Sequence, residues 1–387
     1  MEIDADISWR SLNKQGEVLC GDKVEVLKGE DFDVVILSDG MGNGVKANIL
    51  ATLTSKILYT MFKNNASIEL GVETILNTLP ICQVRKIAYS TFSILQIYHN
   101  GDAYLAEFDN PDCIFVRDGK IVDIPYVYRE IGGKKIREYR FKAQQKDLFV
   151  LMSDGVEFAG VGELLNFGWT RESVAKYTLK CAKDTLSAPR IAAELIQACD
   201  DLYDHKPGDD TTVAVLHVIG RKVVNIFTGP PENKEDDARI MDDFTKSSGM
   251  HIVCGGTTAA IASRYLQKPV TGNRDGTRDI PPTANIEGMD LVTEGVLTMN
   301  GALQILKDLS KDQPPLEAFI SLDAENGASR LAKAIYENCT DLNLFVGKAN
   351  NVANEQLLFD VTVRRNLVEQ LKETAQGLGK RVHVKYY

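Results

Sequence analysis

The sequence predicts an α+β protein of two domains, in which strands and helices form separate layers. Its 387 residues are enough for two domains. The composition, 44% hydrophobic and 25% charged, supports a sizeable core and excludes general disorder. Residues 1–220 are rich in strand-like segments, whereas residues 221–387 alternate strand, loop and helix. We therefore place the domain boundary at Gly220-Arg221.

Strand-like segments in the first domain are short, apolar and bounded by turn residues. Two alternating runs, Thr91 to Gln96 and Ala103 to Phe108, flank Asn100-Gly101-Asp102. Asn-Gly between such runs predicts a β-hairpin. The other predicted strands are Asp33 to Leu37, the hairpin arms Ile114 to Val116 and Ile121 to Val122, Leu148 to Met152, and Thr211 to Val218.

Helices interrupt these strands in two places. The segment Val45 to Phe62 predicts an amphipathic helix whose core-facing residues include Ile57, since apolar residues recur every four positions at Ile49, Leu53, Ile57 and Met61. Ser67 predicts the N-cap of a second helix that carries Val72, Ile75, Leu76 and Leu79 on one face, with Pro80 beyond its end. A third predicted helix covers Arg190 to Leu202.

The second domain is predicted to be a small α/β domain with a parallel sheet. Its predicted strands are Val223 to Phe227, His251 to Cys254, Leu291-Val292, Leu342 to Val346 and Arg381 to Tyr387. Gly255-Gly256-Thr257-Thr258 could hold an anion at a helix N-terminus, but the pattern matches no phosphate-binding motif and is more typical of Thr257 as a simple N-cap. Thr228 to Pro231 and Thr293 to Gly295 would meet it at the strand-end edge, where open sheets bind ligands. We expect a regulatory domain or one that binds a small-molecule ligand.

Charge and cysteine usage exclude several classes of protein. The net charge of −10 and the pI near 5.2 argue against nucleic acid as a partner. No apolar run approaches the roughly 20 residues that span a membrane, and the start of the chain lacks a secretory pattern. The seven cysteines are scattered without a C-x-x-C pair. We therefore expect a cytoplasmic protein with reduced thiols.

The strongest chemical signal is a repeated pattern of aspartate and glycine at predicted strand ends. The segments Phe32 to Gly40, FDVVILSDG, and Leu148 to Gly155, LFVLMSDG, both run directly into Ser-Asp-Gly. Gly21-Asp22 and Gly208-Asp209-Asp210 lie beside two other predicted strands. Carboxylates on separate strands can hold two hard cations such as Mg²⁺ about 3.5–4 Å apart, with a bridging water activated as hydroxide. A single Asp-Gly after a strand is usually a turn, so it is the combination that indicates a site.

These motifs resemble those of a known family. Asp39-Gly40-Met41-Gly42-Asn43-Gly44 with Ala47 is similar to the DGMGxGxxA signature of the bacterial phosphatases typified by the sporulation stage II protein E family, in the protein phosphatase 2C class. Ser153 to Val156, Gly208 to Val213 and Gly21-Asp22 resemble the class's other motifs, in the same order. The resemblance covers residues 1 to about 220.

The resemblance implies a β-sandwich flanked by helices and a protein serine/threonine phosphatase in bacterial regulation. It implies that Asp39 bridges two Mn²⁺ or Mg²⁺ ions and that a hydroxide between them attacks phosphoserine or phosphothreonine. Asp22 and the Gly40 carbonyl would bind one ion, and Asp154 and Asp209 the other, with Asp210 in support. The implied partner is a phosphorylated regulatory protein; a homodimer is left open.

A non-catalytic, phosphatase-like binding module is the competing interpretation. The full aspartate set favours catalysis, because a decayed site usually loses ligands. None of the five histidines is required as a base. His205 lies close to Asp209 in sequence and could assist a leaving group, or it could be an exposed loop residue.

Overall fold

The computed structural model describes residues 3–78, 90–162, 164–311, 314, 316–349 and 358–387. It divides into two compact units, Met1–Gly220 and Arg221–Tyr387. Among the described residues, no helix has both the length and the apolar character needed to cross a bilayer.

The first unit contains eleven strands and five helices within the described residues. The strands are β1 (Ile3–Leu12), β2 (Asp22–Lys28), β3 (Phe32–Gly40), β4 (Ser90–Tyr98), β5 (Asp102–Phe108), β6 (Ile114–Arg117), β7 (Lys120–Ile121), β8 (Tyr126–Ile131), β9 (Lys134–Lys142), β10 (Leu148–Met152) and β11 (Thr211–Gly220). The helices are α1 (Gly44–Lys63), α2 (Ile68–Thr78), α3 (Asp154–Phe158), α4 (Arg171–Asp184) and α5 (Ala188–Leu202).

These strands form two antiparallel sheets that pack face to face. One has the order β1-β11-β10-β6-β7 and the other β2-β3-β4-β5-β9-β8. Along β3, Val35 and Leu37 point into the core shared by both sheets, while Val34 and Ile36 pack beneath α1 and α2. Helices α4 and α5 cover the outer face of the other sheet. Burial on both faces explains the continuous apolar runs. The predicted β-sandwich flanked by helices is confirmed.

The short-range predictions in this unit are confirmed as well. Phe92 pairs with Phe108 across the β4–β5 hairpin, and Val116 pairs with Ile121 across β6–β7. The Ser67 hydroxyl accepts a hydrogen bond from the Leu70 amide at 3.4 Å at the start of α2. The side chain of Leu76, and all of Leu79 and Pro80, lie outside the described residues.

The predicted buried face of α1 is wrong. Ile49 and Leu53 are 52% and 38% exposed. The helix instead buries the face that carries Ala47, Leu50, Ala51, Thr54, Ser55, Leu58 and Phe62. Small side chains allow the helix to approach the sheet closely, so the tightest packing, rather than the largest side chains, sets its rotation. Ile57 is only half-buried at the margin of this face.

The second unit contains seven strands and six helices within the described residues. The strands are β12 (Val223–Thr228), β13 (Met250–Cys254), β14 (Thr271–Gly272), β15 (Ala284–Asn285), β16 (Leu291–Thr293), β17 (Asp341–Val346) and β18 (Arg381–Tyr386). The helices are α6 (Asp237–Lys246), α7 (Gly256–Leu266), α8 (Val296–Leu309), α9 (Leu316–Leu322), α10 (Gly327–Glu337) and α11 (Leu358–Gly377). One 3₁₀ turn, Lys234–Asp236, precedes α6.

Its sheet has the order β14-β15-β16-β13-β12-β17-β18. The five strands from β16 to β18 in that order are parallel, and the short β14 and β15 add an antiparallel margin. Parallel strands need crossover connections, which the helices supply.

Candidate metal centre

The four predicted ligand aspartates lie at strand ends contributed by both sheets. Asp22 opens β2 and is the direct antiparallel partner of Asp39, near the end of β3. Asp154 follows β10 and begins α3, and Asp209 lies just before β11. The carboxyls of Asp39 and Asp154 lie within hydrogen-bonding reach of one another, so the two sheets meet at this point.

Asp22 is held by a residue from the opposite sheet. The Ser153 hydroxyl donates to Asp22 Oδ2 at 2.7 Å and accepts from the Thr212 amide at 2.8 Å. Asp22 is only 4% exposed, and its Oδ1 has no hydrogen-bond partner among the described residues. A buried carboxylate oxygen without a partner is costly. A bound cation would satisfy it.

The raised pKa values of these aspartates show that ionising several of them together is unfavourable. Burial raises the pKa of Asp39 to about 9, and the charges of Asp22 and Asp154 add to the effect. Burial also raises the pKa of Asp22 to about 7, against the lowering effect of the Ser153 hydrogen bond. The pKa of Asp154 is raised by burial and by Asp209. Carboxylates that disfavour ionisation together are suited to bind divalent cations.

The motifs require glycine because neighbouring atoms leave no room for a side chain, and not because the backbone turns there. A Cβ on Gly40 would overlap the Ala47 carbonyl, and a Cβ on Gly155 would overlap the Asp210 carbonyl. A Cβ on Gly21 would lie 2.7 Å from Asp210 Oδ2. None of the three glycines has a positive φ. This close backbone packing argues against the interpretation as ordinary turns.

The carboxylates of the four aspartates do not form a compact group of three. No three of them bring one oxygen each within 4.8 Å of one another. Two other groups in the described chain do so: Asp4, Asp33 and His99, and Asp200, Asp201 and His205. In the first group the Lys28 ammonium lies 3.0 Å from both Asp4 and Asp33, so a cation is already present. The second group is on the surface.

Asp210 and Lys14 make contacts near the centre that the sequence did not predict. Sequence analysis assigned Asp210 only a supporting role and did not single out Lys14. The Asp210 carboxylate, 6% exposed, accepts from the Lys14 amide at 3.0 Å. The Lys14 ammonium donates to Asn43 Oδ1 at 2.9 Å and lies 3.8 Å from Asp209 Oδ1. Lys14 belongs to no motif; only the pairing of β1 with β11, where Leu12 faces Thr211, places it here.

His205 contacts a different aspartate from the one suggested by sequence proximity. Its Nδ1 lies 2.6 Å from Asp200 Oδ2, and its side chain is 68% exposed. The hydrogen bond and the charge of Asp200 raise its pKa. This geometry favours the exposed loop histidine over a role beside Asp209.

A family model accounts for most of the first unit. Residues 33–219 match the model described as Stage II sporulation protein E (SpoIIE). The first unit belongs to the SpoIIE family. Among curated proteins no match was found for the chain.

Several solved structures are similar to part of this chain at low identity. The phosphatase domain of Bacillus subtilis SpoIIE with a fragment of its regulatory domain is 20% identical, with a TM-score of 0.48 over 56% of this chain and 64% of that one. The chain thus spans just under two thirds of that relative. The RsbU and RsbW domains of a Mycobacterium tuberculosis protein are 15% identical, with a TM-score of 0.47 over 62% and 68% of the two chains. The catalytic domain of the serine/threonine phosphatase PstP, solved with two manganese ions, is 15% identical, with a TM-score of 0.40 over 56% and 99%.

Proposed function

We propose that the SpoIIE unit is a metal-dependent protein phosphatase that hydrolyses phosphoserine or phosphothreonine. One observation carries the proposal: Asp22 and Asp39 face each other across β2 and β3 with raised pKa values, and Asp22 has an orphaned buried oxygen. Residues arranged in this way fit divalent cations better than any other group, because hard cations prefer carboxylate oxygens.

The donor set suggests how two Mn²⁺ or Mg²⁺ ions would be shared. Asp39 is the member that interacts with the other three aspartates, which suits a bridging role. Asp22 and the Gly40 carbonyl would serve one ion, and Asp154 and Asp209 the other. Ions held there would activate a water molecule and neutralise phosphate charge.

Ser153 and Lys14 would position the ligands and the substrate. Ser153 fixes the orientation of Asp22, since its hydroxyl is tied to the opposite strand through Thr212. Lys14 is the cation beside Asp209 and is partly exposed, at 30%. A phosphate monoester near Asp209 would gain an ionic contact from its ammonium.

An exposed apolar surface beside the centre supports a protein substrate. The loop that carries Val18 contacts the start of α1, since Asn48 Nδ2 donates to the Cys20 carbonyl at 2.8 Å. Val18, Val45 and Ile49 are 87%, 63% and 52% exposed. Exposed apolar side chains grouped in this way are typical of a protein-docking surface. A phosphorylated regulatory protein is the partner we propose for it.

The test is hydrolysis by the 387-residue chain in the presence of Mn²⁺ or Mg²⁺. We expect turnover of p-nitrophenyl phosphate and of phosphoserine and phosphothreonine peptides, abolished by chelation and by Asp154→Asn. Binding of a phosphopeptide without turnover would instead support the non-catalytic module. Phosphoproteomics with the Asp154→Asn variant would then identify the physiological substrate.

A further inference from the structure

The chain that follows Asp154 exposes four large apolar side chains. Phe158, Val161, Leu164 and Phe167 are 50%, 48%, 66% and 88% exposed. Single exposed apolar residues are normal on a protein surface, but several that come so close together in the chain mark an interaction site. We call these four residues the α3 surface, because the first of them ends α3.

Backbone contacts bring the two ends of this segment together. The Val161 amide donates to the Phe158 carbonyl at 3.0 Å, and the Trp169 amide donates to the Glu157 carbonyl at 2.9 Å. A Cβ on Gly168 would lie 2.9 Å from Val161 Cγ2. The chain on either side of Gly168 therefore lies against the part that contains Phe158 and Val161.

Two other apolar residues of the segment anchor it in the core. Trp169 is only 8% exposed and belongs to the core beneath α4 and α5, and Leu165 packs against the same core. The Leu165 amide also donates to the Gly160 carbonyl at 2.8 Å. Leu164 and Phe167 are thus held on the outside by neighbours that are fixed on the inside.

The α3 surface begins beside a predicted metal ligand. Asp154 and Phe158 are the first and last residues of α3. Residues four apart on a helix lie on the same side, about 6 Å apart along the axis. An extended peptide advances roughly 3.3 Å per residue. A phosphorylated residue at the candidate centre would therefore place residues about two to four positions away at the α3 surface.

The size of this surface suits a peptide segment better than a second copy of the chain. An aromatic side chain contributes about 150–250 Å² when fully exposed, so the four side chains at their observed exposures offer on the order of 400–500 Å². A stable dimer buries roughly 800 Å² on each partner. The α3 surface alone falls well short of that area.

The charges beside the surface do not suit an anionic membrane. Burial raises the pKa of Glu157, and the nearby charges of Asp112 and Glu172 add to the effect. Arg171 acts against it, but its guanidinium already donates to two backbone carbonyls at 3.2 and 3.0 Å. Asp112 is paired with Arg137. Carboxylates outnumber guanidiniums among these five residues, whereas anionic lipids attract basic surfaces.

We propose that the α3 surface binds an apolar side chain of the substrate protein, about two to four residues from the phosphorylated residue, and thereby selects the substrate. The inference rests on the proposed phosphatase function, because it assigns part of the same substrate. Covering exposed apolar area is favourable in proportion to the area removed from water, so a substrate with a polar residue at this position binds less tightly.

Two synthetic phosphoserine peptides test the inference on the 387-residue chain with Mn²⁺. One carries leucine at the positions two to four residues from phosphoserine on both sides, and the other carries asparagine there. Both present the same phosphate, so the ratio of their KM values isolates the apolar contribution. We expect a KM about tenfold lower for the leucine peptide.

Three serine substitutions locate this preference. Phe167→Ser and Leu164→Ser remove the two most exposed members of the α3 surface. Ile320→Ser is the matched control, because Ile320 lies on α9 in the second unit and is 63% exposed. We expect the first two variants to reduce the KM ratio below about threefold and the control to retain it. Calorimetric melting identifies the variants that fold, and two variants of the surface allow for the failure of one.

A binding measurement separates this inference from the phosphatase proposal. Fluorescence anisotropy with the Asp154→Asn chain gives the ratio of the Kd values of the two peptides without turnover. Absence of hydrolysis of both peptides and of p-nitrophenyl phosphate would refute the phosphatase proposal, while the Kd ratio would still decide this one. The inference is overturned if the peptides do not differ in KM or Kd, or if the ratio survives in both Phe167→Ser and Leu164→Ser. A dimer of the unmodified chain that Phe167→Ser dissociates in sedimentation would overturn it as well.

Discussion

Asp22 and Asp39 are direct cross-strand partners, so two carboxylates face each other where β2 begins and β3 ends. Like charges placed opposite one another destabilise an antiparallel pair. Here the pair is largely desolvated as well, and the pKa of each carboxyl is raised. A fold that keeps such a pair needs a counter-charge, which is the basis of the predictions on the first unit.

Removing the charge of Asp39 should separate stability from activity. We expect Asp39→Asn to lower metal-dependent hydrolysis by more than about 100-fold, because loss even of groups that only support a metal ligand costs 10–100-fold. The same variant should raise the Tm of the metal-free chain, since it removes repulsion with Asp22 and Asp154. Calorimetric melting and kinetics on one preparation measure both effects.

Asp102→Asn is the matched control, because Asp102 is exposed and paired with Lys142 on the same sheet. It should change neither activity nor Tm. If Asp39 had only a structural role, Asp39→Asn would instead lower both the activity and the Tm.

The two Ser-Asp-Gly motifs offer an internal comparison. Ser153→Ala removes the hydrogen bond to Asp22 and leaves the Thr212 amide without its acceptor. We expect metal affinity to fall about 10–100-fold and stability to fall by about 1–3 kcal/mol. Ser38→Ala should be nearly neutral, because the buried Ser38 hydroxyl has no partner among the described residues. Equal losses in both variants would contradict a positioning role for Ser153.

Metal binding should release protons and tighten as the pH rises. The folded metal-free chain holds protons on Asp22 and Asp39 up to pKa values of about 7 and about 9. The unfolded chain loses them near pH 4. The folded state therefore binds more protons between these limits, and its stability falls as the pH rises. Calorimetry of Mn²⁺ binding at two pH values, in buffers of different ionisation enthalpy, would count the protons. A pH-independent affinity would contradict the assignment.

Lys14 should act on the substrate more than on the ions. We expect Lys14→Ala to raise the KM for a phosphopeptide several-fold while Mn²⁺ affinity stays within about twofold, because the ammonium lies beside Asp209 without being a ligand. Lys120→Ala, on the exposed β6–β7 hairpin, is the control and should leave KM unchanged. An altered Mn²⁺ affinity with an unchanged KM would show that Lys14 only supports the Asp209 loop.

Asp341 should stabilise the second unit at neutral pH and lose this effect in acid. Although burial opposes it, hydrogen bonds from Arg381 and Arg221 hold the pKa of Asp341 well below its usual range. Its stabilising contribution is therefore complete above about pH 4 and declines as the pH falls further. Asp341→Asn should cost about 3 kcal/mol in chemical unfolding. Arg221→Ala should cost less than Arg381→Ala, because the Arg221 side chain is 50% exposed and that of Arg381 is 21% exposed.

The motifs of the candidate metal centre stand out in the sequence because each is a short local pattern. Asp39 and Asp154 each come at the end of a continuous apolar run of strand length, so run length and the Ser-Asp-Gly ending were enough to predict their position. The partners of these residues could not be predicted in the same way. Ser153 and Asp22 are separated by 131 positions, and their contact depends on how two sheets pack.

The error on α1 has a related origin. Sequence periodicity identifies an apolar face of a helix, but it does not show which face packs against the neighbouring sheet. Ala47 and Ala51 permit closer packing than Ile49 and Leu53, and the second pair is left exposed. The exposed pair lies on α1, which directly follows the motif that begins at Asp39, and an exposed apolar surface there suits contact with a partner protein.

The pairing of β1 with β11 has a consequence for how this domain can be combined with others. Ile3 lies opposite Gly220, so the chain enters and leaves the sandwich at one corner. A module whose two ends are neighbours can be attached to, or inserted into, another protein without disturbing its sheets. All four aspartates belong to this module, so a protein that acquired the module would acquire the whole candidate site. A domain attached to the module could then regulate that site.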